Sequence, residues 1–114
     1  MRAKLRSTLL AALLLGLSAV ATAADFYVDI TNRTGYTIMY MYVSPGSSTS
    51  WEEDVLGDGV LPDGDTRRVT LTGYKSPMFD IKLVDSDGDT YTFWDVDVSQ
   101  RDIVVTLADL DSKN

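Results

Sequence analysis

Residues 26–31, Phe-Tyr-Val-Asp-Ile-Thr, alternate apolar and polar positions. Phe26, Val28 and Ile30 face one way; Tyr27, Asp29 and Thr31 face the other. A period of two marks a half-buried strand. The turn at 32–35 ends on Gly35, which is free to take positive φ. Residues 37–43 give a second strand that is apolar on both faces. Ile38, Tyr40 and Tyr42 line one face, Met39, Met41 and Val43 the other, as suits a strand covered on both sides. The pattern leaves its inward face open. Pro45-Gly46 then breaks the chain. Ser50 precedes Glu53 by three residues, the capping-box spacing, and Glu52, Glu53 and Asp54 complement a helix dipole in a first turn. With Gly57 as the stop, a short helical turn is expected after strand 2, plugging Trp51, Val55 and Leu56 onto the core.

Residues 58–65 are turn-rich, with Leu61 tucked in before a reversal at Pro62-Asp63-Gly64. Residues 66–72 form a third strand, with Val69 and Leu71 inward. After a loop at 73–77, strands at 78–86 and 89–98 are joined by Asp87-Gly88, a preferred type I′ pair. A two-residue loop pairs Ser86 with Asp89 and fixes a register. Leu83 then faces Thr92, Ile81 faces Trp94 and Phe79 faces Val96 on the apolar side. Val84 faces Tyr91, Lys82 faces Phe93 and Asp80 faces Asp95 on the other. After a turn at 99–101, residues 102–110 make the last strand, with Ile103, Val105 and Leu107 inward; a tail follows from 111. About six strands, one short helical turn and no repeats predict an all-β, antiparallel β-sandwich.

The first 23 residues stand apart from this pattern. Arg2, Lys4 and Arg6 precede an apolar run at 9–20, too short to span a bilayer, and Ala21-Thr22-Ala23 reads as a cleavage site. The sequence therefore predicts a signal peptide over 1–23, cut before Ala24 or Asp25, and a single domain over 24–114. The expected destination is the periplasm or the exterior, with no membrane insertion after cleavage. Removing 23 of 114 residues leaves 91, enough for one modest core. The leader holds three of the ten basic residues and none of the seventeen acids, so the mature domain carries seven against seventeen, a net charge of −10. Such a surface repels phosphate backbones and anionic lipid, which excludes nucleic acid as a partner.

The chain has no cysteine and no histidine. Disulfides are excluded, zinc and copper lose their usual ligands, and Ser-His-Asp or Cys-His nucleophiles cannot be assembled. What remains is carboxylate chemistry. Asp85, Asp87 and Asp89 bracket Gly88 in a spacing like the start of a calcium loop. Thr90 and Val96 stand where an EF-hand needs Gly and Glu, and a solvated hairpin turn explains the same residues. The expected register also sets Asp80 opposite Asp95, with Asp97 next along that face. Like charges across a ladder are destabilising, so diagonal Lys82, or a bound cation such as Ca2+, is expected to offset them. Two such carboxylates could also support glycosidase-like acid–base work. Arg67, Arg68 and Lys75 offer an anion site or surface pairs with Asp65 and the acids near Trp51. Tyr40, Tyr42 and Trp51 are either packing or an exposed aromatic surface for a protein or glycan partner. Asn32-Arg33-Thr34 matches a glycosylation sequon by chance.

The blocks Asn32-x-Thr34-Gly35-Tyr36, Tyr42-Val43-Ser44-Pro45, Trp51-x-x-Asp54-x-Leu56-Gly57, Leu61-x-x-Gly64 and Phe79-Asp80-Ile81-Lys82 resemble a family of small exported bacterial β-rich proteins of unknown function. The Trp-x-x-Asp-x-Leu-Gly block is the most specific. The family often has Gly where Glu52 stands and Tyr where Phe79 stands. Some relatives are labelled argininosuccinate lyase. That enzyme is a large helical tetramer, which a 91-residue β domain without histidine cannot reproduce, so the label is a misnomer and the resemblance implies no functional residues. The expectation from the residues is a non-catalytic exported binding module of the cell envelope. A calcium-dependent module and a small carboxylate hydrolase are the alternatives.

Overall fold

The structure, a computed structural model, describes residues 24–112; the leader expected over 1–23 lies outside the described residues. Six strands follow one another: β1 Ala24–Arg33, β2 Ile38–Pro45, β3 Thr66–Tyr74, β4 Met78–Asp85, β5 Thr90–Asp97 and β6 Ile103–Thr106. They form two three-stranded sheets, ordered β3-β1-β6 and β2-β4-β5. The connections β1–β2, β2–β3, β3–β4 and β5–β6 each cross between layers, leaving β4–β5 as the sole hairpin among the described strands. All pairings are antiparallel except β1–β6, which is parallel, with Ile30 opposite Ile103 and Asn32 opposite Val105. The all-β, two-sheet architecture expected from the sequence is present, and this one parallel pair is its departure from antiparallel pairing. Local patterning reports which face of a strand is buried, not which distant strand lies beside it.

The two inner faces share one core. Val28, Ile30, Val69, Leu71, Ile103 and Val105 come from the first sheet, and Met41, Val43, Phe79, Ile81, Leu83 and Tyr91 from the second. β2 resolves its two-sided pattern by a bulge between Ile38 and Tyr40, which brings Ile38 and Met41 to the same inner face and leaves Tyr40 outside. Leu56 and Leu61, from the long β2–β3 connection, close the core. Leu61 also bridges Ile38, and Asp54 bridges Tyr42, so the outer edge of β2 is covered rather than bare.

The helical turn is misplaced by the sequence reading. Residues 51–53 are irregular and Ser50 caps nothing: the amide of Glu52 donates to Ser44 Oγ at 2.9 Å, while Asp54 Oδ1 accepts from the amides of Met41 (2.8 Å) and Leu56 (3.0 Å). Asp54 thus acts as a brace on the edge of β2 instead of a first-turn charge. The capping box occurs at the other end of the chain. Thr106 Oγ1 accepts from the amide of Ala108, and Asp109 Oδ2 accepts from the amide of Thr106, around a single 3-10 turn at Leu107–Asp109. That turn ends the last strand early, so Leu107 is exposed rather than inward.

Asn32 explains the first resembling block. It is fully buried, its amide nitrogen donates to the carbonyls of Tyr36 (2.7 Å) and Leu61 (3.0 Å), and its oxygen accepts from the amide and hydroxyl of Thr34. Every polar atom of the side chain is engaged, which is the condition for burying one. The apparent sequon is a structural corner in the folded state.

Candidate functional site

The site begins with the register of the β4–β5 hairpin. The loop takes three residues, Ser86-Asp87-Gly88, not two. The amide of Gly88 donates to the carbonyl of Asp85, the amide of Asp85 donates to the carbonyl of Asp89, and Gly88 sits at φ 81°. This is the three-residue hairpin with glycine in the left-handed position. Asp85 enforces it: Oδ1 accepts from the amides of Asp87 (2.9 Å) and Asp89 (3.0 Å), and Oδ2 accepts from the hydroxyl of Tyr91 (2.7 Å). The extra loop residue shifts β5 by one. Leu83 faces Tyr91 and Ile81 faces Phe93, so Tyr91 and Phe93 take the inward places expected of Thr92 and Trp94.

Continuing that shift unbroken would bring Asp95 into the core opposite Phe79. A bulge prevents it. One extra residue lies on β5 between Phe93 and Val96, Phe79 pairs with Val96, and Asp95 adopts φ 54°, the sole non-glycine positive φ among the described residues. Trp94 and Asp95 are both left outside, and Trp94 is 65% exposed. The Asp80 carboxylate holds the bulge: Oδ1 accepts from the amide of Asp95 at 2.8 Å. Asp80 and Asp95 are therefore joined through backbone, which removes the charge clash expected from the simple register.

The loop after β2 folds toward this bulge. Trp51 meets Trp94 with ring centroids 5.6 Å apart and planes tilted by 38°. Lys82 Nζ stands 6.0 Å from the Trp51 ring centroid. The pair walls a cleft of about 90 Å³, floored by Ser44 and Asp80 and rimmed by Ser48, Thr49 and Ser50. Asp80 is only 9% exposed, and among the described residues the one hydrogen bond to its carboxylate is that from Asp95. A buried acceptor with spare capacity, beside two aromatic faces and several hydroxyls, is the chemistry of a polar-ligand cleft.

Two larger cavities, each about 430 Å³, have less convergent linings. One lies against Asp25, Tyr27 and the backbone near Gln100–Asp102; the other is bounded by Pro45, Gly46, Lys75 and Asp95. Volume does not decide between them and the smaller cleft, because neither pairs exposed aromatic rings with a buried acceptor.

The remaining sequence candidates scatter. Among the described residues, no group of three or more aspartates or glutamates converges in a way that could hold a metal ion. Asp85 is turned inward and committed to the hairpin and Tyr91. Asp97 Oδ1 accepts from the amide and hydroxyl of Ser99, closing the next turn. Asp80 and Asp95 open onto different cavities and do not face each other across one. Arg68 pairs with neither Asp65 nor the acids near Trp51. It grips Asp29 bidentately (2.8 and 2.9 Å) and covers the Tyr27 ring at 3.9 Å. The guanidinium holds the Asp29 carboxyl below its ordinary range, mainly by hydrogen bonding, and Asp29 in turn raises Arg68.

Of the aromatic candidates, Trp51 is in the cleft. Tyr42 lies one row away, opposite Lys82, and exposed Tyr40 is about 13 Å along β2 from Ser44, counting four residues of strand. Trp94 was assigned to the core by the sequence, and only the loop length could have revealed it. Most of the resembling blocks have fold-building roles: Asn32 and Thr34 make the corner, Asp54 braces the edge, Leu56, Leu61 and Phe79 fill the core, and Asp80 ties the bulge. Trp51 is the exception, since its ring contact is with the exposed Trp94. No protein-family model, curated protein or solved structure matches this chain.

Proposed function

We propose that this domain is a non-catalytic, exported binding module of the cell envelope, and that its ligand surface is the Trp51–Trp94 cleft. The observation that carries the reading is the outward Trp94, in tilted ring contact with Trp51 beside a buried carboxylate. A domain this small gains from burying tryptophan, so one turned outward by the hairpin register and left 65% exposed has a use outside the core. The leader-like N-terminus supports export. The lack of histidine and cysteine, and the separation of the Asp80 and Asp95 carboxyls into different cavities, support binding without turnover.

The test is retention of components of the producing cell's envelope on immobilised protein. Trp94→Ala removes retention at least tenfold, equivalent to about 1.4 kcal/mol. It lowers the unfolding free energy by no more than about 1.5 kcal/mol, the value of its ring pair with Trp51. Tyr40→Ala, on the same outer face but away from the cleft, leaves retention unchanged. Equal loss in both variants, or in neither, overturns the assignment of the surface.

A further inference from the structure

Resting on that reading, we infer that the cleft takes a neutral glycan, with one pyranose ring laid on the exposed face of Trp94 and its hydroxyls donating to Asp80. A pyranose presents C–H groups on its faces and hydroxyls around its rim. The negative π-face of tryptophan attracts the former. A carboxylate accepts the latter in charge-assisted hydrogen bonds. Asp80 is placed for this: Oδ1 is held by the amide of Asp95, so the carboxylate is fixed in orientation at the cleft floor with acceptor capacity left over. Thr49 and Ser50 on the rim add hydroxyls that both donate and accept, as sugar hydroxyls require.

The geometry argues against the other ligand classes. An aromatic cage for a methylated ammonium needs its rings separated by about 7–8 Å, two van der Waals contacts. Here the centroids are 5.6 Å apart, so the rings touch and leave no slot. Lys82, 6.0 Å from the Trp51 ring, already places a positive charge there. An anionic ligand meets the Asp80 carboxylate and a strongly acidic domain. A cleft of about 90 Å³, open to solvent, is too small to enclose a sugar unit, so the ligand lies across it and is not engulfed. A chain of sugar units meets that condition.

Both tryptophans of the chain belong to this site, so tryptophan fluorescence, excited selectively over the six tyrosines, reports on it alone. The purified protein is titrated with cellohexaose, maltohexaose, chitohexaose and mannohexaose, with hexagalacturonate and tetramethylammonium chloride as charged controls. At least one neutral oligosaccharide shifts the emission to shorter wavelength with a Kd of about 0.1–1 mM, the range expected for a small open cleft. Trp94→Phe keeps part of the affinity, measured through Trp51. Asp80→Asn, which preserves an acceptor for the Asp95 amide, weakens binding about tenfold through loss of the charge-assisted bonds. Silence with all four neutral sugars up to about 10 mM, or a response to a charged control alone, overturns the glycan assignment. If envelope retention still depends on Trp94 but is not competed by any of the four oligosaccharides at about 10 mM, the glycan inference falls and the binding surface stands. If Trp94→Ala retains as well as the unsubstituted protein, both fall.

Discussion

β4 carries two buried aspartates, Asp80 and Asp85, and they are buried for opposite reasons. Asp85, at 2% exposure, lies on the inner face in line with Phe79, Ile81 and Leu83. Its oxygens take three donors, the amides of Asp87 and Asp89 and the hydroxyl of Tyr91. Asp80, on the outer face, takes one donor and lines the cleft. Burying a carboxylate is costly unless hydrogen bonds replace water. At Asp85 the fold supplies three donors for about four acceptor sites. At Asp80 it supplies part and leaves the rest to water or a ligand. Degree of burial alone does not separate a fold device from a ligand group; the tally of filled acceptors does.

The sharpest way to break this contrast is to remove each carboxylate. Asp85→Ala leaves the Tyr91 hydroxyl buried without its acceptor and frees the loop to relax toward a two-residue turn. Hydrogen bonds to a charged group contribute about 1.5–3 kcal/mol each and are not additive, so a loss of about 3–4 kcal/mol is expected. For a domain of this size that lowers the melting midpoint by on the order of 15–25 °C. Asp80→Ala, losing one bond at the surface of the sheet, costs about 1–2 kcal/mol. Urea denaturation of the two variants checks the order; equal losses would erase the distinction.

The same two residues show how far the sequence could be read. Alternation placed β1, β3 and the inner face of β4 correctly, because burial of one sheet face dictates a period of two. Val28, Ile30, Val69, Leu71, Phe79, Ile81 and Leu83 are all in the core. For β5 the Asp87-Gly88 pair suggested the shorter turn, and the expected register holds only beyond the bulge, at Phe79 and Val96. Between loop and bulge every partner is off by one, so Tyr91 and Trp94 exchanged places. Nothing local to β5 signals the bulge; the carboxylate that accepts from its amide, Asp80, lies fourteen positions before Trp94. The cleft was half legible. Trp51 was a candidate for a partner surface, while Trp94 was hidden because the Asp87-Gly88 pair suggests a loop one residue shorter than the one that forms.

A smaller perturbation sharpens the Asp85 side of the comparison. Burial, and then the hydrogen bond to Asp85, raise the Tyr91 hydroxyl above the ordinary tyrosine value of 10.0. Above that pH the folded protein keeps a proton that the unfolded chain releases. The native state then binds more protons, so stability is fully present below about pH 10 and falls as pH rises, by up to about 1.4 kcal/mol per unit. Tyr91→Phe removes the titrating group. It costs about 1–2 kcal/mol at neutral pH, because Asp85 Oδ2 loses its donor. Its stability declines less steeply than the unsubstituted protein's in urea titrations between about pH 9 and 11.5. Parallel curves would show that the phenol is not the group sealed by Asp85.

The smallest effect expected is at the bulge itself, and it probes the Asp80 side. Asp95 stands at φ 54°, where an L-residue is strained by roughly 1–2 kcal/mol and aspartate somewhat less. Asp95→Gly relieves that strain but adds freedom to the unfolded chain worth about 0.4–1 kcal/mol, so the net change is within about 0.5 kcal/mol. The amide that Asp80 accepts from is untouched by the substitution, because the bond is made by backbone. The bulge, the outward Trp94 and the cleft should therefore persist, with tryptophan emission unchanged. Asp95→Val disfavours the left-handed conformation through its branched Cβ and destabilises by more than Asp95→Gly. If the glycine variant instead shifted the tryptophan emission, the Asp95 side chain rather than the Asp80–amide bond would be what holds the bulge, and Asp80 would lose its place as the residue that joins fold to cleft.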